Sequence, residues 1–262
     1  MATESGLAEW AGRLAVVTGA ASGIGAAVAT GLAARGCRVI AADVDRDGLE
    51  RLRAGTPAGS GEVVPLALDV ADWDAVAAAT RTILDRHGAP HYLVPDAGVN
   101  PRVASSGEVD EAFWDRVMGV NLKGLFATCR GFIPAMADAG RGAVVNLASV
   151  SGLVGWGGSS VYCASKGGII ALTRALATEY AGRGVRVNCV CPGSVRTPMV
   201  VNNLLARGGD VEAGLAASAR QHPLGRVAEP GDVAAAILFL LSEQAAFITG
   251  SVMTVDGGLT AV

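Results

Sequence analysis

Seven short apolar runs recur along the chain, at 14–18, 38–43, 63–69, 91–95, 143–149, 185–191 and 252–256. Most are apolar at successive positions, without alternation. A strand of this kind is buried on both faces, as in a parallel sheet. Between the runs lie segments of helical character at 23–35, 46–54, 72–87, 111–139, 161–181 and 230–243. Regular strand–helix alternation predicts an α/β fold: a doubly wound, seven-stranded parallel sheet flanked by helices on both faces, with right-handed crossovers. Two stretches, 97–110 and 194–229, interrupt the rhythm. Both follow strand ends, where open α/β sheets take their ligands. The second, 194–229, is the expected substrate loop or lid. With no repeat beyond the strand–helix unit and no linker between two such units, 1–262 reads as one domain.

Composition narrows the picture further. Hydrophobic residues make up 51% of the 262 and charged residues 17%, enough to bury a sizeable core and against disorder. A net charge of −3 gives no reason to expect a nucleic-acid partner. The opening MATESGLAEWAGR has no apolar run of a secretory signal, and VAAAILFLL from Val233 is too short to span a bilayer. A cytoplasmic protein with no membrane partner is expected. The five cysteines, Cys37, Cys129, Cys163, Cys189 and Cys191, read as free thiols. Cys189 and Cys191 share one face of an apolar strand, and no second Cys or His pair stands at ligand spacing. They read as core thiols, and no metal is expected. His87, His91 and His222 read as surface or loop residues.

Candidate chemistry begins with TGAASGIG, Thr18 to Gly25, between the first apolar run and an Ala-rich helix. Gly19, Gly23 and Gly25 allow a tight turn, close approach of a pyrophosphate and close helix–strand packing. With Ser22 and Ile24 they open a helix whose free N–H groups and positive dipole end favour phosphates. Asp43 ends the second strand. A carboxylate there accepts hydrogen bonds from ribose hydroxyls and repels a 2′-phosphate, and Arg46 is the one cation nearby. This favours NAD(H) over NADP(H); the alternative for Asp43 is a strand-end turn residue. Asp69, before Val70, reaches an adenine amino group in one reading and caps the next helix in the other.

In SSVYCASKGG, Tyr162 and Lys166 stand four residues apart, so a helix sets them one above the other. Taken together, TGAASGIG, DV at 69–70, DAG at 96–98, Asn121 in VNLKG, Ser149 in NLASVSG, YCASK at 162–166, PG at 192–193 and DGG at 256–258 resemble the short-chain dehydrogenase/reductase family over nearly the whole chain. The resemblance implies a Rossmann-type sheet of strand order 3-2-1-4-5-6-7 and a homotetramer. It implies a catalytic tetrad of Asn121, Ser149, Tyr162 and Lys166, and cofactor contacts at Ala97, Gly98, Pro192, Gly193, Val195 and Thr197, with Tyr162 and Lys166 also touching the cofactor. Tyrosine ordinarily titrates at about 10, too high for an effective base near neutrality. The expectation is that the Lys166 cation, together with the nicotinamide's own positive charge, lowers it, that Ser149 orients the substrate oxygen, and that Asn121 breaks its helix and holds a water relaying protons to Lys166. One departure stands out: Pro95-Asp96 replaces the family's usual Asn-Asn. Pro95 should end sheet pairing, and a buried Asp96 should titrate above the usual carboxylate range.

The substrate pocket is expected among Ser149, Val154, Trp156, Tyr162, Met199, Val200, Leu204 and Leu205, with Arg102, Arg196 and Arg207 in neighbouring loops. A neutral secondary alcohol or ketone of moderate size, cyclic or aromatic, fits these residues best. The resulting expectation is an NAD(H)-dependent alcohol dehydrogenase or carbonyl reductase. The alternatives are a 3-oxoacyl thioester reductase and a dinucleotide-sensing protein without turnover.

Overall fold

All seven expected strands form, and every pairing between them is parallel. The computed structural model describes residues 9–100, 105–206 and 208–261. Strands β1 (Leu14–Thr18), β2 (Arg38–Asp43), β3 (Val63–Ala67), β4 (Tyr92–Pro95), β5 (Gly142–Leu147), β6 (Val185–Pro192) and β7 (Val252–Val255) lie in the order β3-β2-β1-β4-β5-β6-β7. Helices α1 (Gly23–Ala33), α2 (Arg46–Ala54), α3 (Trp73–His87), α4 (Glu111–Met118), α5 (Leu125–Asp138), α6 (Ser160–Tyr180), α7 (Pro198–Ala206), α8 (Val211–Ala219) and α9 (Pro230–Leu241) complete the chain. Among the described residues no helix is long and apolar enough to cross a membrane.

The continuous apolar runs follow from two cores, one on each face of the sheet. On one face Ala15, Val17, Val39, Val94 and Val145 pack with Val28 and Leu32 of α1 and Ile237 and Leu241 of α9. On the other Val16, Ile40, Leu93, Val144 and Val187 pack with Phe132, Ile133 and Met136 of α5 and Ile169 of α6. Each large aliphatic side chain buried this way contributes roughly 1.5–3 kcal/mol. Cys189 and Cys191 share the second core, as their common strand face predicts.

Helix starts follow local chemistry. Asp45, Asp72, Asp110 and Asp210 each precede a helix and accept an N–H from its first turn, of Gly48, Ala75, Phe113 and Ala213 respectively.

The structure departs from the sequence reading in two places, β3 and the loop 194–229. Strand β3 stops at Ala67, where its partner β2 ends at Asp43 and the Leu68 N–H makes the last ladder bond to the Asp43 carbonyl. The expected helix break at Asn121 is present: within 111–139, α4 and α5 are joined by a π-helical turn, Gly119–Gly124. The loop 194–229 contains α7 and α8, unexpected because α8 is built of small residues around one buried large side chain, Leu215. Pairing ends at Pro95, as its missing N–H requires.

Candidate active site

Strand order reverses between β1 and β4, and the C-terminal strand ends there open onto a cavity of about 1000 Å³. Its walls include Gly19, Ser22, Gly23, Ile24, Asp43, Asp69, Val70, Asp96, Ala97 and Gly98, and further along the sheet Ser149, Tyr162, Lys166, Pro192, Gly193, Val195 and Thr197. The chain therefore brings the sequence-predicted dinucleotide and catalytic residues to one cleft. Gly25 and Asn121 lie just behind its wall.

The glycine turn fits a pyrophosphate. Gly19 has φ +69° and lies so close to the next strand's loop that a Cβ would sit 2.8 Å from the Ala97 nitrogen. A Cβ on Gly25 would overlap the Gly19 carbonyl. Ser22 precedes α1 without spending its hydroxyl on a cap, and the first turn of α1 carries no acid. The helix N-terminus thus presents its N–H groups and positive end to the cavity.

Asp43 serves the local turn as well as facing the cavity. Its carboxylate accepts the N–H of Ala21 and of Asp45, each at 3.0 Å. Asp69 does not cap α3, since Asp72 does; it accepts the Ala71 N–H instead and lines the cavity beside Val70.

At the other end, α6 sets Lys166 one turn below Tyr162, with its ammonium 5.7 Å from the ring centre. Lys166 is buried and donates to the Leu147 carbonyl at 2.8 Å. Ser149 accepts the Ser151 N–H, and its hydroxyl lies near enough to the Tyr162 phenol to favour the ionised form. Burial pushes Tyr162 up to about 12, against the pull of Ser149 and with help from nearby Asp96. Burial likewise pushes Lys166 down to about 8, with Asp96 opposing. The expected lowering relied on Lys166 together with the nicotinamide's charge; for the protein's own groups, burial raises the phenol.

Asn121 is fully buried. Its Oδ1 accepts the Val99 N–H at 2.7 Å, and its Nδ2 donates to the Val99 carbonyl at 2.9 Å and to Ser165 Oγ at 3.2 Å. The side chain clamps the loop after β4 onto α6. Asp96 accepts the Gly25 N–H with one oxygen, while Oδ1 is buried without a partner. Burial drives its carboxyl up to about 7.

His222 and His91 lie in loops, as one arm of the expectation has it, but neither is a surface residue. His222 is buried, not a surface residue: Nε2 accepts the Ser194 N–H at 3.1 Å, and Nδ1 lies 2.8 Å from the Ser218 carbonyl. The ring covers Gly193, where a Cβ would lie 2.6 Å from Nε2. It ties the end of α8 to the loop after β6. His91 is half-buried before β4, where Nδ1 accepts the Leu14 N–H; burial, Arg141 and Arg13 hold it down at about 4.

Of the expected substrate pocket, Trp156, Met199 and Val200 line the cavity. Leu204 instead packs against Gly214 of α8, and Val154 and Leu205 point outward. Arg196 is paired with Glu212, and Arg102 and Arg207 lie outside the described residues. Val150, Asn202, Gln221 and Arg116 also line the cavity. Val150 follows β5 and Asn202 and Gln221 belong to the lid, but Arg116, within α4, carried no sequence signal.

A parallel sheet with a glycine turn at its switch point and a Ser–Tyr–Lys group at the strand ends is the architecture of dinucleotide-dependent oxidoreductases. The family model described as enoyl-(acyl carrier protein) reductase matches residues 19–260. The chain is 43% identical over 253 residues to cis-4-hydroxycyclohexanecarboxylate dehydrogenase of Sinomonas cyclohexanicum, covering 97% of this chain and 98% of that protein. It is 38% identical over 248 residues to a 3-oxoacyl-[acyl-carrier-protein] reductase of Thermotoga maritima, covering 95% and 98%. The crystal structure of levodione reductase matches with a TM-score of 0.93 at 33% identity, covering 97% and 99%. The chain belongs to the short-chain dehydrogenase/reductase family. It is an oxidoreductase of CH–OH and C=O groups that uses a nicotinamide cofactor.

Proposed function

We propose that the protein interconverts a neutral, cyclic secondary alcohol of moderate size and its ketone, with NAD(H) preferred over NADP(H). The observation that carries this reading is the meeting of Ser149, Tyr162 and Lys166 in one cavity wall, with buried Lys166 one helical turn below the phenol. A bound nicotinamide supplies the hydride acceptor or donor. Tyr162 takes the carbinol proton in oxidation and returns it in reduction. Ser149 orients the substrate oxygen. Lys166 stays cationic beneath the phenol and holds the ribose. The Asn121 side chain is engaged with Val99 and Ser165, so a water relaying protons to Lys166 would have to be held by its main-chain carbonyl, which only accepts hydrogen bonds.

The dinucleotide would lie along Gly19, Ser22, Gly23 and Ile24, with Asp43 accepting the adenosine ribose hydroxyls. Charge repulsion at Asp43 supports NAD(H). Trp156, Met199 and Val150 offer apolar walls to a ring such as that of the cis-4-hydroxycyclohexanecarboxylate named for the Sinomonas relative, without its carboxylate. The pairing of Arg196 with Glu212 supports a neutral substrate. The segment 194–229, with α7 and α8, acts as the lid of a single 1–262 domain. Exposed Trp114 and Phe126 on α4 and α5, and Phe239 on α9, support a homotetramer.

A panel of cyclic secondary alcohols and ketones, run with NAD(H) and NADP(H) separately, tests the reading. The panel includes a 3-oxoacyl thioester and a carboxylated cyclohexanol. Turnover of the neutral ring compounds with NAD(H) is expected. Preference for the thioester or for NADP(H) overturns the substrate or the cofactor assignment. Preference for the carboxylate assigns Arg116 as an anion contact, and dinucleotide binding without any turnover marks a sensor.

A further inference from the structure

Asp96 stands beneath the phosphate turn, at the point where β4 gives way to the cavity. A Cβ on Gly19 would lie 3.0 Å from the Asp96 carbonyl carbon, so the two loops are in backbone contact. A Cβ on Gly25 would lie 2.7 Å from Asp96 Oδ2, the oxygen side that takes up the Gly25 N–H. That N–H belongs to the first turn of α1, the positive end that serves a pyrophosphate. The other oxygen, Oδ1, is buried with no donor. An ionised carboxylate only accepts hydrogen bonds, and both its oxygens need donors when buried. A neutral carboxyl lacks that need.

The surrounding charges do not supply a dedicated partner. On α6, Lys166 faces Asp96 but gives a hydrogen bond to the Leu147 carbonyl, and Tyr162 is a neutral phenol. On β2, Asp43 is a like charge with both oxygens engaged by Ala21 and Asp45. From α1 only the Gly25 backbone reaches it, and the neighbouring π turn presents neutral Asn121.

We infer that Asp96 couples dinucleotide binding to proton uptake: the carboxyl must be neutral when a pyrophosphate occupies the Gly19–Gly25 turn, so each binding event above neutral pH draws a proton from solvent onto Asp96. The inference rests on the nicotinamide-dinucleotide reading of the cleft. Ionised, Asp96 places a negative charge behind two phosphates and takes part of the helix's positive end for itself. Protonated, it leaves that field to the ligand and leaves Lys166 without an anionic competitor to the ribose. Burial already raises the carboxyl to about 7, so the free protein carries the proton at mildly acidic pH and has lost it at pH 8.

The test is calorimetric titration of the protein with NADH at pH 6 and pH 8, in buffers of different ionisation enthalpy. Wild type is expected to take up close to one proton per NADH, at most about one, at pH 8 and almost none at pH 6. Its Kd should weaken by up to about tenfold per pH unit above pH 7. Asp96→Asn should bind NADH with no proton uptake and a flat Kd; Asp96→Ser provides a second variant should the first fail to fold. Equal uptake in wild type and Asp96→Asn assigns the proton to another group, such as Lys166, and overturns the inference. Binding without uptake in wild type overturns it while leaving the dinucleotide reading intact. Absence of binding by NADH and NADPH alike overturns both.

Discussion

The ammonium of Lys166 lies 5.7 Å from the centre of the Tyr162 ring, yet its hydrogen bond goes to the Leu147 carbonyl, 2.8 Å away. Strand β5 therefore anchors the cation, and α6 aims it beneath the phenol without bonding to it. Replacing Tyr162 with Phe or Lys166 with Met should lower turnover by about 10²–10⁴-fold. Tyr162→Phe should keep dinucleotide affinity. In wild type the pH–rate profile should bend near 8, where Lys166 loses its proton, and Lys166→Met should remove that limb. Steady-state kinetics from pH 6 to 10 check this.

Asp43 has two duties, and its replacement separates them. Asp43→Ala removes the repulsion of a 2′-phosphate and also frees the Ala21 N–H of the glycine turn. NAD(H) affinity should fall by more than tenfold, about 1.4 kcal/mol or more, while the ratio of NADP(H) to NAD(H) use rises. Asp43→Asn, which keeps an acceptor, should lose less NAD(H) affinity. Comparing kcat/KM for both cofactors across the two variants decides it.

Asp96 sets a pH-dependent cost on folding. The native carboxyl keeps its proton up to about 7, far above its ordinary 3.8. Stability from this group is full below about 4 and is lost as pH rises through 7. Asp96→Asn should thus be more stable than wild type by about 2–4 kcal/mol at pH 8, with the gain shrinking towards pH 5. Urea denaturation at several pH values measures the slope.

His222 bridges the lid and the loop after β6, accepting the Ser194 N–H while reaching the Ser218 carbonyl. His222→Phe leaves the Ser194 N–H without its acceptor, at a cost of about 1–3 kcal/mol if it stays buried, while the Ser218 carbonyl keeps the Gln221 N–H. Dinucleotide KM should rise more than kcat falls, because Gly193 and Ser194 move while Tyr162 does not. His222→Gln, which can donate and accept, should recover part of the loss. A parallel loss in kcat alone would contradict this assignment.

The strands were legible because burial on both sheet faces favours successive apolar residues, as in Val16-Val17 and Val144-Val145, with few polar exceptions such as Asn146 and Asn188. The glycine turn was legible because Gly19 and Gly25 meet steric limits that other residues violate. The family resemblance placed Asn121, Ser149, Tyr162 and Lys166 at one cleft. Sequence could not show that Leu204 turns towards Gly214, since an apolar residue satisfies a helix–helix contact as readily as a pocket. It could not show that His222 is interior, because its two partners are main-chain groups that leave no mark in residue identity. Nor could it rank desolvation above the cation at Tyr162, a balance that depends on depth and not on spacing.

The π turn at Gly119–Gly124 makes length itself a constraint. Such a turn stores one residue more than a regular helix would use. Removing a residue there would let α4 run straight into α5 as a regular helix and erase the turn that carries Asn121. Phe132, Ile133 and Met136 would keep their place on the sheet, but the clamp on Val99 would open. This stretch should accept exchanges of side chain far more readily than a one-codon deletion.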